Sequence, residues 1–221
     1  MSRQRLGLFL AAAILAGLWS AQTLIAHVVR LANQPTLQAI RKGETAPSHS
    51  MLKGAISGYE TAMVWTPCNA ALQADMSLLL AQHADAAMAQ TDAAQGDAAL
   101  ENMQHAVLER LACTPRDGKA WLDLAMLDVF REGAGAASFT AYRMSAQAAP
   151  REGWLAKKRL EFALTFLPIL TAEELTVARA DLAVLEHAHP NNLLAVQAAA
   201  KVENKQALYA LFGATMPVEA P

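Results

Sequence analysis

The chain has 221 residues and a formal net charge of −2, so it lacks the surplus of positive charge with which proteins attract nucleic acid. Hydrophobic residues make up 54% of the sequence, but aromatic residues only 6%. Because much of this content is alanine and leucine, the strongest helix formers, the composition predicts an all-α fold.

The first predicted element is an apolar segment, Leu6–Ile25, that contains no charged residue. As a helix it would span about 30 Å, the thickness of the hydrocarbon core of a bilayer. Arg3 and Arg5 precede it, and such residues tend to keep their flank in the cytoplasm. We therefore expect residues 1–5 to be cytoplasmic, 6–28 to be a transmembrane anchor and the rest to lie outside the cytoplasm.

Two other interpretations of this segment stay open. A cleaved signal peptide has an apolar core of about 7–15 residues and then a site with small residues, whereas Leu18 and Trp19 occupy the −3 positions of the candidate sites here. The segment could also be the core helix of a soluble protein, but the two preceding arginines favour an anchor.

Residues 29–50 are predicted to form a spacer. Pro35 lacks the backbone N–H that a helix interior needs, and Gly43 and Pro47 follow it. We therefore expect no continuous helix here, only a short interfacial helix over 37–42.

Residues 51–213 are predicted to form a helical domain, followed by a loose tail over 214–221. The Thr-Pro pairs at 66–67 and 114–115 combine an N-cap residue with a proline suited to the first helical turn. A capping-box sequence begins at Thr171. Apolar residues at steps of three and four predict helices over 51–65, 67–90, 98–112, 115–130, 136–149, 154–167, 173–187, 193–201 and 206–212.

A weak repeat is visible in the second half of the chain. Pro115 is followed by Trp121 and Pro150 by Trp154, with the prolines 35 residues apart and the tryptophans 33. A period near 34 residues with helix–turn–helix units is typical of tetratricopeptide (TPR) repeats. We predict TPR-like antiparallel helix hairpins, with an irregular helical bundle as the alternative.

Three stretches also carry a resemblance to a known family: residues 120–125 (AWLDLA), Tyr142 with Ser145, and Arg159 with the apolar run 160–170. Through them, residues 114–185 resemble the VpsP-type polysaccharide biosynthesis proteins, small bacterial inner-membrane proteins with a periplasmic TPR-like domain. The resemblance implies a scaffold or assembly factor for polymer synthesis or export, and it transfers no catalytic residue.

Cys68 and Cys113 are the two cysteines of the chain. Cys68 begins one predicted helix and Cys113 ends the next, so an antiparallel hairpin would bring them together. An extracytoplasmic location permits a disulfide between them. The alternative is two buried thiols, and the absence of a CxxC sequence argues against a redox pair.

The remaining candidate ligands are histidines. His187 and His189 are the one pair close in sequence, but a spacing of two points their rings apart on a helix. We predict no metal site and no cofactor.

Two surfaces are candidate binding sites. Lys119, Met126 and Arg159 are predicted to line the concave groove of a hairpin stack, by their offset from the tryptophans. The second surface is a basic patch for an acidic polymer or lipid head groups, and a solvated helix face is its alternative. The patch comprises Arg151, Lys157, Lys158 and Arg159.

The sequence therefore favours a periplasmic TPR-like scaffold anchored in the inner membrane, without enzymatic activity. Its expected partners are the membrane, proteins of the polysaccharide machinery and an acidic polysaccharide, and not nucleic acid. An assembly factor of another envelope complex, such as cytochrome maturation, a pilus or a secretion system, is the alternative. A glycan-processing enzyme is the third hypothesis.

Overall fold

The computed structural model describes residues 3–43, 47–89 and 93–199. These residues form helices and turns and contain no strand, which confirms the predicted all-α class. The chain divides into two compact units, Met1–Thr114 and Pro115–Pro221. The predicted helix over 206–212 and the tail over 214–221 lie outside the described residues.

The described residues of unit 1 form four helices: α1 (Arg3–Lys42), α2 (His49–Trp65), α3 (Ala70–Met88) and α4 (Ala93–Cys113). The second half of α1 packs against α2 and α3, and α3 packs against both α2 and α4. The shared core is formed by the buried residues Ala26, Leu37, Leu52, Ala55, Tyr59, Ala62, Leu72, Met76, Leu79 and Leu80.

Helix α1 continues through Pro35, so the predicted break in the spacer is wrong. The proline removes one backbone hydrogen bond, but the next two residues, Thr36 and Leu37, are buried against the other helices of the unit. Packing on both sides of the proline therefore maintains the helix. With 40 residues, α1 is about 60 Å long, twice the thickness of a bilayer core.

The two halves of α1 have different surroundings. Leu10 to Leu24 expose their large apolar side chains, whereas burial begins at Ile25 and Ala26. Among the described residues, α1 is the one helix long and apolar enough to cross a membrane, judged by length and composition. The apolar part thus projects from unit 1, and the second part belongs to its core.

A buried carboxylate holds α1 to the core of unit 1. Asp75 of α3 accepts hydrogen bonds from Arg30 Nε at 2.8 Å and from Arg41 Nη2 at 2.7 Å. Tyr59 of α2 donates its hydroxyl to the same carboxylate at 3.2 Å. Three helices therefore meet at Asp75, which the sequence analysis did not single out.

The Thr-Pro pairs were expected to begin helices. In the structure, the next helix begins three residues after the proline in both cases. The Thr66 hydroxyl donates to the carbonyl of Ala62 in the preceding helix, and Asn69 is the N-cap of α3. In the same way, Thr114 bonds back to Arg110 and Asp117 caps the next helix. A threonine hydroxyl can satisfy a carbonyl of the previous turn as well as cap a new one, so the pattern alone misplaces the start.

Unit 2 contains α5 (Gly118–Glu132), α6 (Ala136–Ala148), α7 (Gly153–Thr165), α8 (Ala172–Ala188) and α9 (Pro190–Ala199), with a 3₁₀ turn at Leu167–Ile169. Helix α5 packs along α6, and α7 along α8. The first helices of the two hairpins touch each other, as do the second helices, and α9 covers α7 and α8. The predicted capping box of Thr171 and Glu174 is confirmed at the start of α8.

Candidate partner-binding groove

Helices α2, α3 and α4 of unit 1 enclose an open groove of about 1010 Å³. Helix α3 forms its floor through Met76, Leu80, His83 and Ala87, which follow one another at steps of four, three and four residues. This spacing places them on one face of the helix. The groove therefore lies over the face of α3 that is open between α2 and α4.

The two walls also come from single helix faces. Helix α2 contributes side chains from His49 to Val64, and α4 contributes side chains from Gln95 to Cys113. The α2 wall covers 15 residue steps, so the groove is about 22 Å long. This length matches about four turns of a helix.

The charges along the groove are separated. His49, Lys53 and His83 lie at the end where α2 begins, and the two imidazole rings are 5.5 Å apart. Glu60 and Glu109 lie further towards the opposite end. Burial lowers the pKa of His83, and the nearby His49 and Lys53 lower it further.

An apolar floor between polar walls is suited to an amphipathic helix, whose apolar face lies in the groove while its polar face stays in water. The half-buried Ile56 and Met63 extend the apolar surface onto the α2 wall. In the ranges that the structure describes, no three His, Cys, Asp or Glu side chains cluster closely enough to hold a metal ion.

The predicted disulfide is confirmed. Cys68 and Cys113 are joined, with their Cα atoms 5.3 Å apart. Cys68 lies in the turn before α3 rather than inside a helix, and Cys113 is the last residue of α4. The bond closes the end of the groove at which Glu109 lies, because Cys113 also contributes to its lining.

Of the three residues predicted to line a groove in unit 2, two lie at the surface and one does not. Lys119 and Met126 are exposed on α5, and Lys119 forms an ion pair with Asp123 at 2.5 Å. Arg159 does not line a surface: its side chain is completely buried. The prediction that Arg159 contacts a partner is therefore corrected.

Arg159 instead joins α6, α7 and α8. Its Nε and Nη2 donate to the carboxylate of Asp181 at distances between 2.5 and 3.1 Å, and its Nη1 donates to the carbonyl of Ala149 at 3.3 Å. A buried guanidinium needs such partners because an unpaired charge in the interior is costly. The residues three and four positions away from Arg159 along α7, Ala156, Leu155, Phe162 and Ala163, are buried with it.

The predicted basic patch is reduced by the burial of Arg159. Arg151 and Lys158 are exposed and Lys157 is half-buried. Lys157 and Lys158 both approach Glu161, at 3.8 and 2.9 Å, so part of their charge is neutralised. A moderately charged helix face remains.

The two neighbouring histidines of unit 2 point to different groups. The His187 ring lies 2.8 Å from the carbonyl of Ala183. His189 packs so closely on Gly153 that a Cβ there would lie 2.0 Å from its ring. Each ring thus has its own packing role.

Comparison with known proteins finds no matching family model, no matching curated protein and no matching solved structure.

The groove of unit 1 was not predicted from the sequence. A signal was present, because His49, Lys53 and Glu60 occupy one face of α2 together with Ile56. Polar residues on one helix face are typical of a solvated surface, and only the packing of α3 between α2 and α4 makes this face part of a concave site.

Proposed function

We propose that this protein is a membrane-anchored scaffold or assembly factor of the bacterial envelope, which binds a helix of a partner protein in the groove of unit 1. The observation that carries the proposal is that the groove is built on the same unit that locks α1 in place. A partner bound there is held at a fixed place relative to the anchor.

The location is supported by two features. Arg3 and Arg5 precede the apolar segment and favour a cytoplasmic N-terminus, with both units in the periplasm. The disulfide between Cys68 and Cys113 suits an oxidising compartment such as the periplasm. An anchor in the inner membrane with the folded units in the periplasm would account for both the arginines and the disulfide.

The charges of the groove specify the partner helix. Acidic residues would pair with Lys53 near the start of α2, where the neighbouring imidazoles can also donate hydrogen bonds, and basic residues would pair with Glu60 and Glu109. Apolar residues at steps of three and four would lie on the floor. The protein then acts by binding, without turning over a substrate.

Unit 2 supplies a second surface for interactions. Its two hairpins, each packed through equivalent helices, support a TPR-like stack. Met126 and Phe130, four residues apart on α5, are 45% and 63% exposed, and Trp154 of α7 is 50% exposed, so they are available for apolar contacts. Arg151 and Lys158 offer contacts to an acidic polysaccharide.

The pathway is proposed from the family resemblance alone. The VpsP-type features of residues 114–185 favour exopolysaccharide biosynthesis or export. The groove and the anchor would serve another envelope complex equally well.

Site-specific photocrosslinking in cells tests the groove. Ala98 is exposed and lines it, whereas Ala74 is exposed on α3 outside it. A photoreactive amino acid at position 98, but not at position 74, should crosslink to one defined segment of an envelope protein. A synthetic peptide of that segment should bind the purified chain and lose at least tenfold in affinity when Ala98→Trp fills the groove. Equal crosslinking at both positions, or undiminished binding to the Ala98→Trp variant, would contradict the proposal.

A further inference from the structure

The buried core of unit 1 begins where the apolar segment of α1 ends. Leu24 is 62% exposed, but Ala26 is only 5% exposed and packs in the core of the unit. The uncharged segment ends at Ile25. No spacer separates the membrane-spanning part of α1 from the folded unit.

The end of α2 lies at this boundary. Helices α1 and α2 pack side by side and are joined by a short connection, so they run in opposite directions. A Cβ on Gly58 would lie 3.7 Å from the side-chain nitrogen of Asn33. Seven residues further along α2 and seven residues back along α1 are Trp65 and Ala26. Since both helices rise by about 1.5 Å per residue, these two residues are at a similar height.

The side chains at the end of α2 are apolar and face solvent. Val64 is 78% exposed and Trp65 is 59% exposed, and the exposed Pro67 follows in the turn to α3. Tryptophan is enriched where a membrane meets water, because its ring is apolar and its N–H can bond to head groups. If this end of α2 faced only water, no apolar environment would offset the exposure of these side chains to solvent.

We propose that the α2–α3 turn, with Val64, Trp65 and Pro67, inserts into the head-group boundary of the leaflet from which α1 emerges. The partner of this surface is the lipid bilayer. The proposal rests on the proposed membrane anchoring, since only a spanning α1 brings the turn to the lipid. Two contacts, α1 and the turn, then fix the tilt of unit 1, and the groove, whose lining includes Val64 and Pro67, has one end at the membrane surface.

Depth-dependent fluorescence quenching tests this insertion. The full chain is reconstituted into phosphatidylethanolamine–phosphatidylglycerol vesicles that carry nitroxide lipids labelled either at the head group or deep in the acyl chain. A single-tryptophan protein keeps Trp65 and has phenylalanine at positions 19, 121 and 154. The matched control has all four tryptophans replaced and carries Met51→Trp. Met51 is 52% exposed near the opposite end of α2, about 21 Å away.

Head-group nitroxides should quench Trp65 at least twofold more strongly than the tryptophan introduced by Met51→Trp, and more strongly than deep nitroxides do. Equal quenching of the two positions would overturn the proposal. The difference between the native chain and Trp65→Phe alone gives the same comparison without the other substitutions.

A protein that keeps Trp19 alone separates the two proposals. Trp19 lies within the apolar segment and should be quenched most by the deep nitroxides. If Trp19 is quenched but Trp65 is not, the anchor holds and the inserted turn is refuted. If neither is quenched, membrane anchoring itself fails, and the inserted turn with it.

Discussion

Arg30 of α1 donates a hydrogen bond to the buried carboxylate of Asp75 in α3, at 2.8 Å. Arg41, three helical turns later, donates to the other oxygen of the same carboxylate at 2.7 Å. One acidic side chain thereby fastens both sides of the Pro35 position to the core of unit 1. The helix that carries the apolar segment is part of the folded unit and not a flexible tether.

Replacing Asp75 by asparagine should loosen α1 from unit 1. The change removes two charge-assisted hydrogen bonds, each of which contributes about 1.5–3 kcal/mol when buried and less here, because both arginines are half-exposed. We expect faster hydrogen exchange of backbone amides over 30–42 in the Asp75→Asn protein, measured on the full chain in nanodiscs. Asp85→Asn, an exposed change on the same helix, is the control. Unchanged exchange over 30–42 would show that the apolar contacts alone hold α1.

Removal of the disulfide should destabilise unit 1. Cys68 and Cys113 are separated by 45 positions in the sequence, and closing a loop of this length contributes about 3–4 kcal/mol in the chain-entropy account. The Cys68→Ser/Cys113→Ser protein should therefore unfold at a clearly lower urea concentration than the oxidised chain, and should match the chemically reduced chain.

The redox state of the same pair in cells tests the location. In intact cells the two thiols should resist a maleimide reagent until a reductant is added, since the periplasm permits the disulfide. Immediate labelling of both cysteines in the native chain would argue for a reducing compartment and against the proposed topology.

Truncating the buried arginine of unit 2 should be far more damaging than truncating its exposed neighbour. Arg159→Leu leaves the Asp181 carboxylate buried without its cation, at a cost of about 3–5 kcal/mol. Trp121 and Trp154 lie in unit 2 and report its unfolding by fluorescence. The double variant Arg159→Leu/Asp181→Leu should recover much of the loss. Lys158→Leu should change stability by less than about 0.5 kcal/mol, and a similar loss in that control would refute the role of the buried pair.

Local signals in this sequence were sufficient for several features. The capping box at Thr171 and the pairing of Cys68 with Cys113 depend on nearby residues or on one hairpin, and both were predicted correctly. The spacing of Leu175, Ala178, Leu182 and Leu185 predicted one apolar stripe on α8, and the last three are buried while Leu175 is half-buried. These features need no knowledge of how distant helices pack.

Features that depend on packing were missed. Pro35 looked like a break, because its local cost is evident and the compensating burial of Leu37 is not. Arg159 looked like a surface cation, because its partner Asp181 lies 22 residues away in another helix. Arg30 and Arg41 share a face only if α1 is continuous, so the error at Pro35 also hid their common partner.

Unit 1, which contains the groove, should be less stable towards unfolding at acid pH, because the folded state disfavours protonation of His83. Burial is the main reason that its pKa lies below the ordinary value of 6.5, and the charges of His49 and Lys53 act in the same direction. The unfolded chain therefore binds a proton more readily than the folded chain. Stability is fully present above pH 6.5 and declines as the pH falls from 6.5 towards the lower pKa of the folded state.

The urea midpoint of the single-Trp65 protein in micelles measures this effect, and it should be lower at a pH of about 5.5 than at about 7.5. His83→Gln should reduce the difference between the two midpoints, because glutamine cannot take up the proton that the buried imidazole resists. His105→Gln, at a side chain that is 74% exposed, should leave the difference in place. If the His83→Gln variant lost as much stability on acidification as the protein that retains His83, the charge on this imidazole would not be the source of the loss.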